Sequence, residues 1–424
     1  MDMIDEFRRR GLLADATEHA AAALDAGQVT GYIGFDPTAS SLHVGSLVPI
    51  MGLVHLQRAG HCPIALVGGG TGLIGDPSGK AQERLLLDRA QAEENAHGIR
   101  KQLAAFLDFE SRTNPARMAN NLDWLDKLGF VDFLRDVGKH FSVNAMLRKE
   151  SVRRRLQDEE SGISFTEFSY QLLQSYDFWE LNRRYDCTLQ MGGSDQWGNI
   201  TAGIDLVRRL GGPRCHGIVF PLLTASGGAK FGKTEEGTVW LDPERTSPYR
   251  FYQFWLNTED ADVIRYLRLF TLLGEPDVGA LEHAVAEHPH RRDAQRRLAA
   301  QVTRTVHGAE GLERAERASR VLFGGSLEGL GPADIEEIFA DVPSTGLARS
   351  ALEEDGIELA VLMADAAMAE SRSEARRLIK GGGVYLNGVR ATDSAVRVRS
   401  EHPLHDRFLV VRVGKKRYFL VALS

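Results

Sequence analysis

Three polar side chains recur at helical spacing in the segment GISFTEFSYQLLQSYDFWELNRRY: Tyr170, Gln174 and Asp177 stand at i, i+4 and i+7. On a helix this spacing places them on one face, as a stripe of hydrogen-bonding groups. Ser164 followed by Glu167 is a capping-box pattern that starts such a helix. The stripe is therefore a candidate binding surface. A solvated helix face is the alternative, although such faces more often carry Lys and Glu.

A glycine-rich stretch, GGGTGLIGDPSGK, follows the apolar run CPIALV. Gly70, Gly72 and Gly75 match the spacing of the dinucleotide fingerprint, but that fingerprint should open a helix. Here Pro77 follows at once and disfavours helical geometry at Asp76. We expect a loop in which small residues let a ligand approach the backbone while Asp76 points into the site. A simple tight turn is the alternative.

Two further segments have the chemistry to handle phosphates. His43-Val44-Gly45-Ser46 lies where a helix should begin, and unpaired N–H groups at a helix amino terminus attract anions. Taken alone, a first-turn histidine is more often a surface or capping residue. Lys230-Phe231-Gly232-Lys233-Thr234 places two lysines on a glycine-rich loop, where they can stabilise charge that grows in a transition state.

The elements that must position these residues alternate between strand and helix. After a helix over residues 1 to about 25, the sequence predicts a strand in QVTGYIGF, a helix capped by Ser40 or Ser41 and ended by Gly60, and a buried strand in CPIALV. A later strand, CTLQMGG, leads into the polar cluster SDQWGN. This order predicts a doubly wound α/β domain, in which ligands bind at the carboxyl ends of the strands.

Composition excludes several classes of protein. The chain has 424 residues, 43% hydrophobic and 26% charged, with a formal charge of −7, which is unlike a disordered chain or a uniformly basic nucleic-acid coat. Its three cysteines lack metal-ligand spacing, so we expect no structural metal. No signal-peptide pattern and no long uncharged apolar run is present, which favours a cytoplasmic protein without a membrane segment.

The carboxyl-terminal region is basic, with 12 Lys and Arg against 7 Asp and Glu in residues 357–424. Its segment SRSEARRLIKGGGVYLNGVR predicts a helix, a glycine turn and a strand. The helix carries four cations that can meet an RNA backbone: Arg372, Arg376, Arg377 and Lys380. A merely solvated basic helix is the alternative.

The motifs GFDPTASSLHVG, LVGGGTGLIGDPSGK, FLRDVGKHFSVN, GGSDQWGNITAGIDL and KFGKTEEGTVWLDP, together with the stripe segment, carry a resemblance over essentially the whole chain. The chain resembles the bacterial tyrosyl-tRNA synthetases, which are class I aminoacyl-tRNA synthetases. The resemblance implies a Rossmann-like parallel-sheet catalytic domain over residues 1–247, including the KFGKT loop. An α-helical anticodon-facing domain over 248–325, a connector over 326–356 and a small α+β RNA-binding domain over 357–424 would follow.

The resemblance also implies roles for individual residues. Tyr32 and Asp177 would bind the phenol of tyrosine, and Asp76, Tyr170 and Gln174 its ammonium group. Gln190 and Gln196 would line the tyrosine and adenylate pocket. Contacts to ATP would come from Gly34, Asp36, His43, Gly45, Ser46, Gly192, Asp195 and Lys233. Thr38, His43, Lys230, Lys233 and Thr234 would act on the phosphates. Ser46, Ile33 and Ala225 depart from the usual family pattern, which should tune the use of ATP.

The implied activity is that of a tyrosine-tRNA ligase: tyrosine and ATP form tyrosyl-adenylate and pyrophosphate, and tyrosine then passes to tRNA(Tyr). Mg²⁺ would accompany the ATP phosphates, and the protein would be a cytoplasmic homodimer. Three alternatives stand beside this prediction. They are a catalytically retired synthetase acting as an RNA-binding protein, a synthetase for tryptophan, and an NAD-linked oxidoreductase built on the glycine-rich loop.

Overall fold

The computed structural model describes residues 2–78, 88–149, 152–153, 162–224, 226, 231–234, 237–353, 355–415 and 417–424. These residues form two compact units. The first contains residues 1–246 and 254–306, and the second contains residues 247–253 and 307–424. Within the described part of the chain, no helix is both long and apolar enough to cross a membrane.

A six-stranded sheet forms the centre of the first unit. Its strands are β1 (Asp15–Ala16), β2 (Thr30–Phe35), β3 (Cys62–Val67), β4 (Arg117–Asn120), β5 (Cys187–Gly193) and β6 (His216–Phe220). They lie in the order β1-β6-β5-β2-β3-β4, and every neighbouring pair is parallel except β1 with β6. The strand order reverses between β2 and β5, where Tyr32 pairs with Gln190. The predicted doubly wound parallel sheet is confirmed, and ligands of such sheets bind at this switch point.

Helices flank this sheet and continue beyond it. Those within the first unit are Met3–Arg10, Ala20–Ala26, Leu47–Arg58, Arg89–Leu103, Leu122–Leu125, Phe130–Asp136, Val143–Leu147, Phe165–Tyr185, Trp197–Arg209, Asp260–Phe270 and Glu275–Glu287. Pro248–Leu256 and Asp293–Leu322 each have residues in both units. The second of these helices is interrupted at Gly308, whose φ is 75°. The helical character predicted beyond residue 248 is therefore confirmed.

Two local predictions near the amino terminus are wrong. Residues 1–25 form two helices with β1 between them, because Gly11 caps the first helix with a left-handed φ of 71°. Neither Ser40 nor Ser41 caps the helix that follows β2. A 3₁₀ turn begins at Val44, and His43 is its N-cap: the His43 ring accepts the Gly45 N–H. The Ser41 hydroxyl instead donates to the Leu42 carbonyl at 2.7 Å.

The KFGKT segment and the second unit supply the remaining strands. These are β7 (Lys233–Thr234), β8 (Gly237–Thr238), β9 (Ser344–Leu347), β10 (Ile357–Glu358), β11 (Val384–Leu386), β12 (Val389–Ala391), β13 (Arg397–Val398), β14 (Phe408–Val413) and β15 (Arg417–Leu423). A five-stranded sheet in the order β12-β11-β14-β15-β9 is antiparallel except for the pair β15 and β9. The second unit also contains the helices Pro332–Ile338, Leu359–Asp365 and Arg372–Lys380. The predicted helix, glycine turn and strand are all present.

The segment predicted as a connector is part of the packed second unit. Its strand β9 pairs with β15, and its helix buries Ile335 and Ile338 in a cluster with Phe339, Phe408 and Val410. These apolar side chains give the segment a core of its own to stabilise it. The division of the chain into four functional domains stays a prediction.

Candidate active site

Fifteen of the predicted site residues of the first unit line one cavity of about 520 Å³. The cavity lies at the carboxyl ends of β2 and β5, beside the switch point. Its lining includes Tyr32, Gly34, Asp36, Thr38, His43, Gly45, Ser46, Asp76, Tyr170, Gln174, Asp177, Gln190, Gly192, Asp195 and Gln196. The structure therefore brings these residues together, and their individual roles stay predictions.

The polar stripe faces this cavity from the helix Phe165–Tyr185. Ser164 caps the helix as predicted, because its Oγ accepts the Glu167 N–H at 3.2 Å. Tyr170 and Asp177 are 6% and 2% exposed, so the alternative of a solvated helix face is wrong. The stripe forms part of the wall of this cavity.

One end of the cavity holds a buried carboxyl and a buried hydroxyl. Asp177 accepts hydrogen bonds from Asn121 Nδ2 at 2.9 Å and from Trp124 Nε1 at 2.7 Å, and burial raises the pKa of this carboxyl to about 8. Among the described residues, the buried Tyr32 hydroxyl has no hydrogen-bond partner. Burial, with Asp177 adding to it, raises the pKa of Tyr32 well above its ordinary value. A ligand hydroxyl that reached these groups would gain partners that the free protein does not supply.

A chain of hydrogen bonds connects this end of the cavity to Asp36. Asn121 Nδ2 also donates to Thr71 Oγ1 at 2.8 Å, and Thr71 donates to Asp36 Oδ1 at 2.7 Å. Tyr170 donates to Asp36 Oδ2 at 2.7 Å. Both oxygens of Asp36, which we predicted as an ATP contact, thus hold neighbouring side chains in place.

Sequence reasoning missed three residues of this chain: Thr71, Asn121 and Trp124. No local pattern singles them out, because their partners are distant in the sequence. One signal was available, since Asn121 directly follows β4 and the carboxyl ends of parallel strands carry binding residues.

The glycine-rich loop places Asp76 as predicted. A 3₁₀ turn over Thr71–Leu73 replaces the helix of a dinucleotide fingerprint, and Gly75 has a φ of 85°. The Asp76 carboxylate accepts from Gln196 Nε2 at 2.6 Å and from the Ser78 N–H at 2.9 Å. Asp76 therefore contributes negative charge to the middle of the cavity.

The predicted phosphate-handling segments meet each other in the fold. Gly232, with a φ of 82°, lies against Val44: a Cβ at Gly232 would stand 2.6 Å from Val44 Cγ2. At Gly45 a Cβ would stand 2.7 Å from His43 Cε1, so the histidine ring occupies the space that a side chain would fill. The backbone of Lys233 and Thr234 pairs with β8. Lys230 and Ala225 lie outside the described residues.

Asp195 lines the same region of the cavity. Burial raises the pKa of its carboxyl, and the nearby Asp76 adds to the effect. A Cβ at Gly193 would stand 2.5 Å from Asp195 Oδ1, so this glycine leaves room for the carboxylate. In the described part of the chain, no group of three or more His, Cys, Asp or Glu side chains is arranged to hold a metal ion.

Comparison with known proteins decides the family. Residues 25–324 match the family described as tRNA synthetases class I (W and Y). The chain belongs to this family. Residues 334–421 of this class I synthetase match the tyrosine–tRNA ligase SYY-like C-terminal domain. The resemblance that the motifs carry is thereby confirmed, and the alternative of an NAD-linked oxidoreductase is wrong.

Individual relatives cover the synthetase chain almost completely. The tyrosine–tRNA ligase of Roseiflexus castenholzii is 54% identical over 421 residues, which is 99% of each chain. That of Bacillus caldotenax is 51% identical over 425 residues, also 99% of each chain. Among solved structures, a C-terminally truncated mitochondrial tyrosyl-tRNA synthetase of Aspergillus nidulans is 30% identical, with a TM-score of 0.69 over 76% of this chain and 94% of that one. A tryptophanyl-tRNA synthetase of Encephalitozoon cuniculi, 13% identical with a TM-score of 0.54 over 73% of this chain and 87% of that one, shares the fold.

The basic helix of the synthetase's second unit presents its cations to solvent. Arg372, Arg376, Arg377 and Lys380 are all exposed, whereas Ala375 and Ile379 of the same helix are buried. Arg376 pairs with Glu358 at 2.9 Å, while Arg372 lies 3.7 Å from Asp365. The four cations are thus available on one surface, and their contact with RNA stays a prediction.

Proposed function

We propose that this class I synthetase is a tyrosine-tRNA ligase: it activates L-tyrosine with ATP to tyrosyl-adenylate and pyrophosphate, then transfers tyrosine to the 3′-terminal ribose of tRNA(Tyr). The observation that carries the choice of amino acid is the buried, unpartnered hydroxyl of Tyr32 in the same cavity as the Asp177 carboxyl. Relatives that are 51–54% identical over almost the full chain have this activity by name.

Tyr32 and Asp177 bind the phenol of the substrate. A phenolic hydroxyl gives the Tyr32 hydroxyl its missing partner and donates to the Asp177 carboxylate. Phenylalanine would leave both groups buried without that partner, which is unfavourable. Tyrosyl-tRNA synthetases are themselves the standard example of such discrimination, and only the direction of the effect is carried over to this chain. An indole, which has no hydroxyl, fits these two groups less well than a phenol.

The remaining polar groups bind the ammonium and carboxylate of tyrosine. Asp76 supplies negative charge, and the Tyr170 and Gln174 side chains complete the contacts to the ammonium group. Gln190 and Gln196 line the amino-acid and adenylate pocket, and the buried Gln190 Oε1 has no partner among the described residues. The substrate thus supplies hydrogen-bond partners to buried polar atoms that have none among the described residues.

ATP binds along the first turn of the helix that begins at Val44. Gly34, Asp36, Gly45, Ser46, Gly192 and Asp195 line its position, while Thr38, His43, Lys230, Lys233 and Thr234 act on the phosphates. Helix N–H groups and lysines stabilise the charge that develops as pyrophosphate leaves. The tyrosine carboxylate is already ionised, so its attack on the α-phosphorus needs no general base. Mg²⁺ enters with ATP as part of the substrate.

The deciding experiment is ATP–pyrophosphate exchange with each amino acid in turn, without tRNA. We expect exchange with tyrosine and none of comparable rate with phenylalanine or tryptophan. Exchange with tryptophan instead would overturn the choice of substrate. Folded protein that exchanges with no amino acid would make the retired, RNA-binding synthetase the better description.

The second step needs tRNA, and we propose that the exposed face of Arg372, Arg376, Arg377 and Lys380 contacts its backbone. The reaction supplies charged tRNA for translation, which supports a cytoplasmic location. The phosphate backbone of tRNA is densely negative, so exposed guanidinium and ammonium groups attract it.

We also propose that the enzyme is a homodimer. Several large apolar side chains of the first unit are exposed, and they come from segments close in sequence: Phe130, Val131, Leu134, Val143, Leu147 and Phe165. Exposed apolar residues that cluster in this way are typical of a protein interface. We expect Phe130→Asp to shift the protein from dimer to monomer in analytical ultracentrifugation, whereas Val389→Asp, at an equally exposed site of the second unit, leaves the dimer intact. A wild-type monomer at micromolar concentration would contradict the proposal.

A further inference from the structure

Lys149 is connected by hydrogen bonds to the part of the cavity that Gln174 and Gln196 line. Lys149 Nζ donates to Asn199 Oδ1 at 3.3 Å. Asn199 Nδ2 in turn donates to Gln174 Oε1 at 3.0 Å and to Gln196 Oε1 at 3.1 Å. Gln196 Nε2 then donates to Asp76 Oδ2 at 2.6 Å. A relay through the Asn199 and Gln196 amides therefore connects Lys149 to Asp76, and the Gln174 amide branches from it at Asn199.

The two end groups of this relay form only one kind of hydrogen bond each, whereas the amides between them can both donate and accept. A carboxamide can rotate by 180° and exchange donor for acceptor, so Asn199, Gln174 and Gln196 carry no fixed direction of their own. An ammonium only donates, and a carboxylate only accepts. With Lys149 at one end and Asp76 at the other, every hydrogen in the relay points in a single direction. Gln174 Oε1 then keeps a second lone pair for a substrate ammonium group.

Lys149 itself does not reach the substrate. It is absent from the lining of the large cavity and lines a separate cavity of about 270 Å³, together with Gln171, Gly198 and Thr201. A Cβ at Gly198 would stand 3.2 Å from Lys149 Nζ, so the absence of a side chain at Gly198 leaves room for the lysine amino group. Burial lowers the pKa of Lys149 to about 7, and the Asp76 carboxylate opposes this shift. A half-buried lysine whose amino group donates to an amide oxygen has lost part of its hydration, and this hydrogen bond compensates for that loss.

We propose that Lys149 is a positioning residue for the recognition of the tyrosine ammonium group. By fixing the direction of the Asn199 amide, it keeps Gln174 Oε1 an acceptor, with one lone pair on Asn199 Nδ2 and the other open to the substrate ammonium group. This inference rests on the proposed tyrosine-tRNA ligase activity. Lys149 should therefore affect binding of the ammonium group of tyrosine and not binding of its phenol.

The test compares tyrosine with 3-(4-hydroxyphenyl)propionate, which keeps the phenol and carboxylate and lacks the ammonium group. ATP–pyrophosphate exchange gives KM for tyrosine and for ATP, and competition gives the inhibition constant of the analogue. For Lys149→Met we expect KM for tyrosine to rise roughly tenfold, as expected when one polar contact is lost, with the analogue's constant and KM for ATP changing less than about twofold. Lys139→Met, at an exposed lysine, is the matched control and should change none of the three constants.

A double-mutant cycle tests whether Lys149 acts through Asn199. In an Asn199→Leu background, Lys149→Met should have no further effect on KM for tyrosine, because the relay is already broken. Asn199→Asp keeps a partner for Lys149 but presents only acceptors to Gln174, so it should also raise KM for tyrosine. This second variant keeps the test decisive if Lys149→Met folds poorly.

Two results would overturn the inference. One is an unchanged KM for tyrosine in both Lys149→Met and Asn199→Asp. The other is an equal loss of affinity for tyrosine and for the analogue, which would mean a general loosening of the pocket. A wild-type protein that shows no exchange with tyrosine would instead contradict the proposed function itself.

Discussion

At the scale of single residues, Tyr32 and Asp177, which we propose bind the phenol, differ in how much the free protein depends on them. Asp177 already accepts from Asn121 and Trp124, whereas the Tyr32 hydroxyl has no partner among the described residues. Removing the carboxyl leaves two buried donors unpaired. Removing the hydroxyl leaves none, so the two changes separate selectivity from stability.

We therefore predict different outcomes for two substitutions. Asp177→Ala should lower the selection of tyrosine over phenylalanine about 2- to 10-fold, because one hydrogen bond to the substrate hydroxyl is lost, and destabilise the protein by about 1–3 kcal/mol, because buried donors lose their partner. Tyr32→Phe should lower selectivity about 2- to 10-fold and leave stability nearly unchanged. The measurements are kcat/KM ratios from pyrophosphate exchange and urea unfolding. Unchanged selectivity in Asp177→Ala would remove Asp177 from the phenol site.

The buried His55 should make the stability of the folded protein depend on pH. It is buried in the helix Leu47–Arg58, and its Nε2 has no partner in the described part of the chain. Burial, with Arg10 adding to it, lowers the pKa of this imidazole from 6.5 to about 4. The unfolded chain therefore binds a proton at His55 at pH values where the folded protein does not, and stability falls as the pH drops from 6.5 toward 4.

His55→Leu should weaken this pH dependence. Between pH 7.5 and pH 5 the histidine accounts for a loss of about 2 kcal/mol in the free energy of unfolding, which the variant should not show. Urea unfolding at the two pH values measures the difference. A variant as acid-sensitive as the wild type would show that other groups cause the loss.

At the scale of elements, aromatic packing anchors the loop that carries the lysines. The Phe231 ring stacks on Phe270 with centroids 5.4 Å apart and meets Tyr266 edge-on at 5.1 Å. Upstream, the Ser226 N–H donates to Asp262 Oδ2 at 3.0 Å. The loop is thus attached to the helix Asp260–Phe270 on both sides of residues 227–230. We expect this attachment to govern where the loop stands relative to ATP.

We predict that Phe231→Ala lowers kcat for tyrosyl-adenylate formation about tenfold or more, because a displacement of a catalytic group by about 1 Å has effects of this size. KM for tyrosine should stay unchanged, since none of its proposed contacts lie on this loop. Stopped-flow or exchange kinetics measure both constants. Val389→Ala, at an exposed site in β12, is the control. An increase in KM for tyrosine at unchanged kcat would contradict the anchoring role.

At the scale of the whole molecule, we propose that the two steps of the reaction depend on different units. The cavity belongs to the first unit, and the exposed cations of Arg372–Lys380 belong to the second. The overall charge is −7, yet residues 357–424 are basic, so charge is segregated along the chain. Attraction of a polyanion by one basic surface is sensitive to salt.

The double variant Arg377→Ala and Lys380→Ala should therefore affect only the second step. We expect weaker tRNA binding, and a plot of log affinity against log salt whose slope falls by about one for each phosphate contact removed. Pyrophosphate exchange without tRNA should match the wild type. Arg296→Ala, at an exposed arginine of the first unit, is the control. Unchanged tRNA binding across salt concentrations would assign RNA contact to another surface.

The sequence by itself determined what depends on neighbouring residues. Strands β2, β3 and β5 follow from apolar runs, the stripe of Tyr170, Gln174 and Asp177 from helical spacing, and the loop at Asp76 from Pro77. Such features depend on periodicity and turn chemistry, which act over a few residues. The family resemblance extended this to the candidate site residues and to the activity.

Only the tertiary structure decided which distant side chains became partners. Asn121 and Trp124 bind Asp177, Lys149 directs the amides around Gln174, and Gly232 packs on Val44, although none of these pairs is close in the sequence. The same holds for the break at Gly11 and the cap at His43, where a glycine φ and a side-chain contact replaced the predicted pattern. Hydrogen-bond partners of buried groups are chosen by how the elements pack, because each buried donor or acceptor must find its partner within about 3 Å in the folded chain.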